Sequence, residues 1–459
     1  MNHRSKRIAD LLPDEKRGLL TKLLQKWGGE SMWFLDRLGT TVTDLQAETR
    51  LDPAIQPETV PGEPVTEPAS IFLTGATGFL GAFLLHELLQ QTRADIYCLV
   101  RSANAEEGKQ RLHRTLESYA LWDESLSPRI MPIVGDLSEP FFGLSAHQFQ
   151  MLAHTIDSIY HSGALVNWIA SYARLKPTNV LGTQEVLRLA SQNKTKAVHY
   201  ISTIAVFPVL ANAQVRVIRE QDSLDHGGVL YGGYCQSKWV AEKLVTMAQS
   251  RGIPVCIYRP ALITGHSQTG IWNTDDFLCR AIKSSIELGG APDMEAKLNI
   301  VPVDYVSKAV VHLSKQDNAL GRVFHLAHPR PVSWRDLFFA WIKSFGYPVQ
   351  PLPYDKWRGQ LLERGRLQDS AAYFLLPLFS MSLSQAGPRI LRNIPEFDCQ
   401  NTLDGLAGTS IACPPVDSQA FETYFSYFMR CGFLKAPPAG GMLQGAPHAP
   451  AAFGPMRTN

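Results

Sequence analysis

Short runs of β-branched and other apolar residues recur along the chain from residue 70: Ile71–Thr74, Ile96–Val100, Ile130–Val134, Ser158–His161, Ala197–Ser202 and Val255–Tyr258. Between them apolar positions return at helical spacing. Strands alternating with helices predict an α/β fold, a doubly wound parallel sheet with helices on both faces, over residues 70–269. The pattern differs on either side. Residues 1–43 hold an amphipathic helix, with Pro13, Asp14 and Glu15 at its start and Leu19, Leu20, Leu23 and Leu24 on one face. It reads as a helical arm, with residues 7–26 a candidate for docking. Residues 44–69, rich in proline and glutamate, read as an extended linker. From 270 to 435 aromatic-rich helices predict a smaller substrate-binding region, with "NIVPV" and "RVFHLA" as strand-like returns to the sheet. Residues 436–459, mostly proline, glycine and alanine, read as a disordered tail.

Composition narrows the function classes. The chain has 459 residues, 45% hydrophobic and 19% charged, so it can bury a sizeable core. Its 44 Lys plus Arg nearly cancel 42 Asp plus Glu, without a block of like charge, which argues against an extended nucleic-acid surface. The most apolar late run, Ala371 to Leu383, is short and broken by Pro377, so no membrane span is expected. Seven scattered cysteines with no CxxC predict neither a disulfide framework nor a metal site. A reducing, cytoplasmic setting fits them.

The chemistry starts at "TGATGFLG". Gly75, Gly78 and Gly81 follow a strand and open a helix, the context that distinguishes a dinucleotide turn from an ordinary one. Gly75 allows the tight turn, Gly78 the approach of a pyrophosphate, and Gly81 close packing of the helix, in a Rossmann-type fold. At the end of the second strand, where an acidic residue would bind the ribose 2′-hydroxyl of NAD, stands Arg101. A guanidinium there suits a 2′-phosphate and predicts NADPH. Arg111, on the next helix, is either a second phosphate partner or a solvated charge. Further on, Ser202 and Thr203 end the fifth strand, and Tyr234 and Lys238 stand four apart on one helix face. Lys238 can hold the nicotinamide ribose and lower the phenol pKa, Tyr234 can act as the acid, and Thr203 can hydrogen-bond the substrate oxygen. Tyr231 lacks such a lysine, since Cys235 stands four residues after it.

These motifs, with "GDLSEPFFGLS", "IYHSGALVNW", "YRPALITGHSQTGIWNTDDF" and "IVPVDYV" in order, resemble the extended short-chain dehydrogenase/reductase superfamily. More closely they resemble the thioester reductase domains of nonribosomal peptide and polyketide synthesis. The late segments "FDCQNTLDGLAGTSIACPPVD" and "TYFSYFMRCGFL" extend the likeness to about residue 435, and "DLQAETRLDPAIQP" is similar to the segment joining a carrier domain to such a reductase.

The resemblance implies catalytic roles for Thr203, Tyr234 and Lys238, and puts Thr74, Gly75, Thr77, Gly78, Phe79, Leu80 and Gly81 around the pyrophosphate. Asp136 and Leu137 would lie beside the adenine, Ser162, Gly163 and Ala164 under the ribose, and Pro260, Ala261, Leu262 and Ile263 beside the nicotinamide. His161 and Asn179 read as structural hydrogen-bonders. The implied reaction is NADPH-dependent release of an acyl or peptidyl thioester, held on the phosphopantetheine arm of a carrier protein, as an aldehyde that could go on to the alcohol. Two other readings stay open: a fatty acyl-CoA or acyl-carrier reductase of lipid metabolism, and a non-catalytic NADPH-binding redox sensor. Gly28, Gly29 and Ser31 look like a carrier's attachment site, but too few residues follow before the linker to build a carrier, so a separate carrier is expected as partner. The glycine pair reads as a helix end.

Overall fold

The computed structural model describes residues 40–59, 67–168, 170–207, 217–225, 228–230, 232–316, 318–364 and 395–437. The N-terminal arm before residue 40, the tail from 438, and Tyr231 lie outside the described residues.

The core is a seven-stranded parallel sheet of β1 (Ser70–Thr74), β2 (Asp95–Val100), β3 (Ile130–Val134), β4 (Ser158–His161), β5 (Ala197–Ile201), β6 (Val255–Pro260) and β7 (Val323–Leu326), in the order 3-2-1-4-5-6-7. Every residue of β1 is buried, as expected of a strand covered on both faces. Alternate side chains feed opposite layers. Phe72 joins a cluster with Leu187 and Val240 from α4 (Gly182–Ser191) and α5 (Gly233–Ser250). Ile71 and Leu73 join Leu84 and Val306 from α1 (Phe79–Gln91) and α7 (Val303–Ser314). Each such side chain contributes about 1.5–3 kcal/mol on burial. The strand order reverses between β1 and β4, which opens a crevice at their carboxyl ends.

One boundary differs from the sequence reading. Residues 44–59 are not an extended linker: Leu45, Leu51 and Ile55 are buried in the core beside α5. The Arg251 guanidinium donates to the carbonyls of Asp52, Ile55 and Leu51 at 2.6, 2.9 and 3.1 Å, and Arg188 pairs with Asp52 at 2.8 Å. Three apolar anchors and these contacts outweigh the prolines. The expected return of "RVFHLA" to the sheet is found: it supplies β7, with Phe324 in register with Tyr258. "NIVPV" instead forms a separate parallel ladder, Ile300–Pro302 with Leu262–Thr264.

The C-terminal region packs around its own aromatic cluster. Trp334 stacks on Phe338 at 4.0 Å, and Phe345 lies 4.7 Å from Phe425 on α8 (Ser418–Arg430). Helix α6 (Phe277–Leu288) adds Leu278 and Ile282. Among the described residues no helix is long and apolar enough to cross a membrane, and no cluster of metal-ligating side chains occurs.

Candidate active site

A cavity of about 960 Å³ opens at the carboxyl ends of the strands. All the residues singled out above for cofactor or catalysis line it, from Thr74 through Arg101, Asp136 and Ser162 to Tyr234, Lys238 and Ile263. The structure brings them together from six strand ends, the starts of α1 and α5, and the helix Ala105–Ser118 that carries Arg111. Sequence reasoning missed the apolar wall: Val166, Trp168, Phe207, Leu230, Phe277 and Met294 also line the cavity. No spacing rule marks them, because they come from loops and from the C-terminal region.

The glycine turn is sterically committed. Gly75 has φ +80°, and a Cβ there would stand 2.7 Å from the Gly163 nitrogen. A Cβ on Gly81 would stand 1.9 Å from the Gly75 carbonyl oxygen. Gly78 begins α1 with no side-chain cap, and its own Cβ would meet only the Gly75 oxygen, at 3.2 Å. The first N–H groups of α1 therefore face the cavity side without a capping side chain, as anion recognition requires.

Beneath this turn runs an ordered hydrogen-bond chain. The Gly163 N–H donates to Thr74 Oγ1 at 2.9 Å, and Thr74 Oγ1 lies 2.7 Å from His161 Nδ1. His161 Nε2 lies 2.9 Å from Thr183 Oγ1, whose hydroxyl donates to the Asn179 carbonyl at 2.7 Å. Since the Thr183 proton is spent on Asn179, Nε2 must carry the imidazole proton and Nδ1 must accept from Thr74. Burial, with Lys238 nearby, lowers the His161 pKa to about 3. A neutral, doubly bonded ring thus locks the ends of β1 and β4. The Asn179 amide in turn exchanges hydrogen bonds with the Leu165 backbone at 2.7 and 3.2 Å and donates to Ser237 Oγ at 2.9 Å.

Tyr234 and Lys238 lie in the first turns of α5, nearly buried. The Tyr234 ring is 5.1 Å from that of Trp168. Burial raises the phenol above its ordinary value, the reverse of the lowering expected from Lys238. Burial also acts on the lysine, bringing its pKa down to about 7, with Glu242 opposing. Its Nζ donates to the Ile201 carbonyl at 2.8 Å and sits 4.2 Å from the centre of the Tyr200 ring.

The strand end separates Ser202 from Thr203. Thr203 caps a short 3-10 turn, its Oγ1 accepting from the Ala205 N–H at 3.2 Å, which leaves its proton to donate. Ser202 Oγ instead donates to buried Glu242, whose Oε1 is held by Arg259 through Nε at 3.0 Å and a second nitrogen at 2.5 Å.

At the far end of the cavity Arg101 is exposed just past β2, and Arg111 donates to its carbonyl at 2.7 Å. Asp136 accepts from the Ser138 N–H and hydroxyl at 2.9 and 2.8 Å. Cys235 also lines the cavity, but burial pushes its thiol up to about 12, far from a thiolate at neutral pH.

Comparison with known proteins gives this arrangement a context. The NAD-binding family described as Male sterility protein matches residues 73–310. The chain is 44% identical over 395 residues to a linear gramicidin synthase of Brevibacillus parabrevis, covering 85% of this chain and 8% of that protein. It is 36% identical over 405 residues to the large component of the L-2-aminoadipate reductase of Eremothecium gossypii, covering 83% of this chain and 29% of the relative. Both curated relatives are thus much longer than the matched chain. Among solved structures, the terminal R domain from the myxalamid PKS-NRPS biosynthetic pathway superposes with a TM-score of 0.80 at 44% identity, covering 86% of this chain and 99% of that one.

Proposed function

This chain belongs to the NAD-binding Male sterility protein family, among the terminal reductase domains of peptide and polyketide synthetases, and from that premise we propose that it releases carrier-bound acyl or peptidyl thioesters reductively as aldehydes. The observation that carries the reading is the convergence of Thr203, Tyr234 and Lys238 on one cavity with an uncapped, glycine-cleared helix start. A nicotinamide dinucleotide suits that cavity, because the glycine turn and the uncapped start of α1 line it with backbone N–H groups free of a capping side chain. Bound there, its reduced form supplies a hydride to the thioester carbonyl carbon.

The protein's own groups do the rest. As the carbonyl pair moves onto oxygen, the Thr203 hydroxyl, its oxygen already used as an acceptor, donates to the developing charge. Tyr234, held protonated by burial, delivers the proton that completes a hemithioacetal. Collapse re-forms the carbonyl, breaks the carbon–sulfur bond and returns the carrier's thiol with a proton. Lys238 would hold the nicotinamide ribose and, while charged, ease proton loss from Tyr234. No cysteine nucleophile is required. Arg101, with Arg111 bracing its backbone, supports NADPH over NADH through a 2′-phosphate contact.

The test is mass spectrometry of products from a panel of carrier-bound thioesters with NADPH. Aldehyde and free carrier thiol are expected. Turnover confined to soluble acyl-CoA would favour the lipid-type reductase instead.

A further inference from the structure

Helix α5 carries one more ionisable group that the reaction itself does not use. Glu242, one turn beyond Lys238, is fully buried, and a buried carboxylate is retained only when it is paired and hydrogen-bonded. Its two oxygens serve different partners. Oε2 takes the hydroxyl proton of Ser202, the residue between Ile201, whose carbonyl anchors Lys238, and Thr203. Oε1 takes the fork of Arg259, which is 3% exposed. Arg259 also donates to the Glu220 carbonyl at 3.3 Å, lies 3.2 Å from His325 Nε2, and stands 4.8 Å from the centre of the Phe207 ring on the cavity wall. His325 Nδ1 lies 2.8 Å from the Asp398 carbonyl, so Nδ1 carries the proton and Nε2 accepts from Arg259.

We propose that Glu242 is a positioning residue for the reduction: through Ser202 it fixes the strand end that presents Thr203 and anchors Lys238, and its carboxylate stands one helical turn from that lysine. The proposal rests on the assignment of Tyr234 and Lys238 made above. A merely structural ion pair would need Arg259 alone. Here the second carboxylate oxygen is spent on the residue that separates the two active-site contacts.

The charges around Lys238 give the expected sign. Its own helix presents Tyr234 and Glu242; the adjoining strands present Tyr200 beneath the amine, His161, which is neutral, and Arg259 behind Glu242. Burial disfavours the ammonium, and Glu242 opposes that effect. Removing the Glu242 charge therefore lowers the pH at which Lys238 loses its proton.

Glu242→Gln keeps the size and an acceptor oxygen but not the charge. The alkaline limb of its kcat/KM profile should move to lower pH by about one unit or more, with kcat down about tenfold and the KM for NADPH within about twofold. Ser202→Ala keeps the charge but cuts the tether, so kcat should fall several-fold while the limb stays in place. A Glu242→Gln enzyme whose limb does not move overturns the proposal, however much activity it has lost. If that variant does not fold, Ser202→Ala decides, and wild-type kcat in it overturns the proposal equally. Tyr234→Phe, run alongside, isolates the premise: if it stays active, the assignment of the acid has failed, and not the role of Glu242.

Discussion

A Cβ on Gly81 would stand 1.9 Å from the carbonyl oxygen of Gly75, so the first turn of α1 rests directly on the loop that precedes it. That contact is backbone against glycine and leaves no flexible side chain to yield. Gly81→Ala should therefore cost about 2–4 kcal/mol and lower the midpoint of thermal unfolding by several degrees. Gly78→Ala, whose Cβ meets only one oxygen at 3.2 Å, should keep most of the stability and weaken dinucleotide binding instead. Calorimetry with and without NADPH separates the two, and equal stability losses would contradict this division.

Tyr234→Phe removes a hydroxyl and almost no volume from a buried site. The fold and NADPH affinity should persist while turnover falls by about 10²-fold or more. Single-turnover kinetics with a carrier-bound thioester measures this, and near-normal turnover would exclude Tyr234 as the proton donor.

Arg101 is exposed and reaches the cavity rim. Arg101→Ala should raise the KM for NADPH about tenfold or more and leave that for NADH nearly unchanged, because only the former has a phosphate for the guanidinium to hold. Steady-state kinetics with both cofactors checks it; parallel losses would remove Arg101 from the phosphate site.

Acid should destabilise the protein through its buried histidines. His161, His199 and His325 each have a folded pKa of about 3, lowered by burial, against an ordinary value near 6.5. Between those values the unfolded chain binds protons that the native state refuses. Stability contributed by the three neutral rings is thus present above about pH 6.5 and lost as pH falls toward 3. Urea midpoints measured from pH 7 to 4 should fall steeply. His199→Gln should make that slope shallower by about one proton; an unchanged slope would show that His199 does not contribute.

The same accounting applies to Lys238 in alkali, with the same sign. Its folded pKa of about 7 lies below the ordinary lysine value, so above pH 7 the native state sheds a proton that the unfolded chain keeps. Stability should rise with pH in that window while activity falls. Parallel stability and kcat/KM profiles test it, and a Lys238→Met enzyme should lose the stability slope.

What the sequence determined by itself was local. The glycines three apart after a strand, the Tyr234–Lys238 pair on one helix face and Arg101 at a strand end are fixed by short-range geometry, as are the alternating runs that became six of the seven sheet strands. Backbone periodicity makes such features readable without knowing the fold. The tertiary structure decided everything that joins distant residues. Thr74 meets His161 across 87 positions and Ser202 meets Glu242 across 40. The helical neighbourhood of Lys238 and Glu242 was readable, but its bond to the strand end was not. Even the segment 44–59, extended by composition, lies against the core because Leu45, Leu51 and Ile55 find apolar surface there. Burial also reversed the expected shift of the Tyr234 phenol, since desolvation is set by everything packed around a group, and the sequence names only its neighbours along the chain.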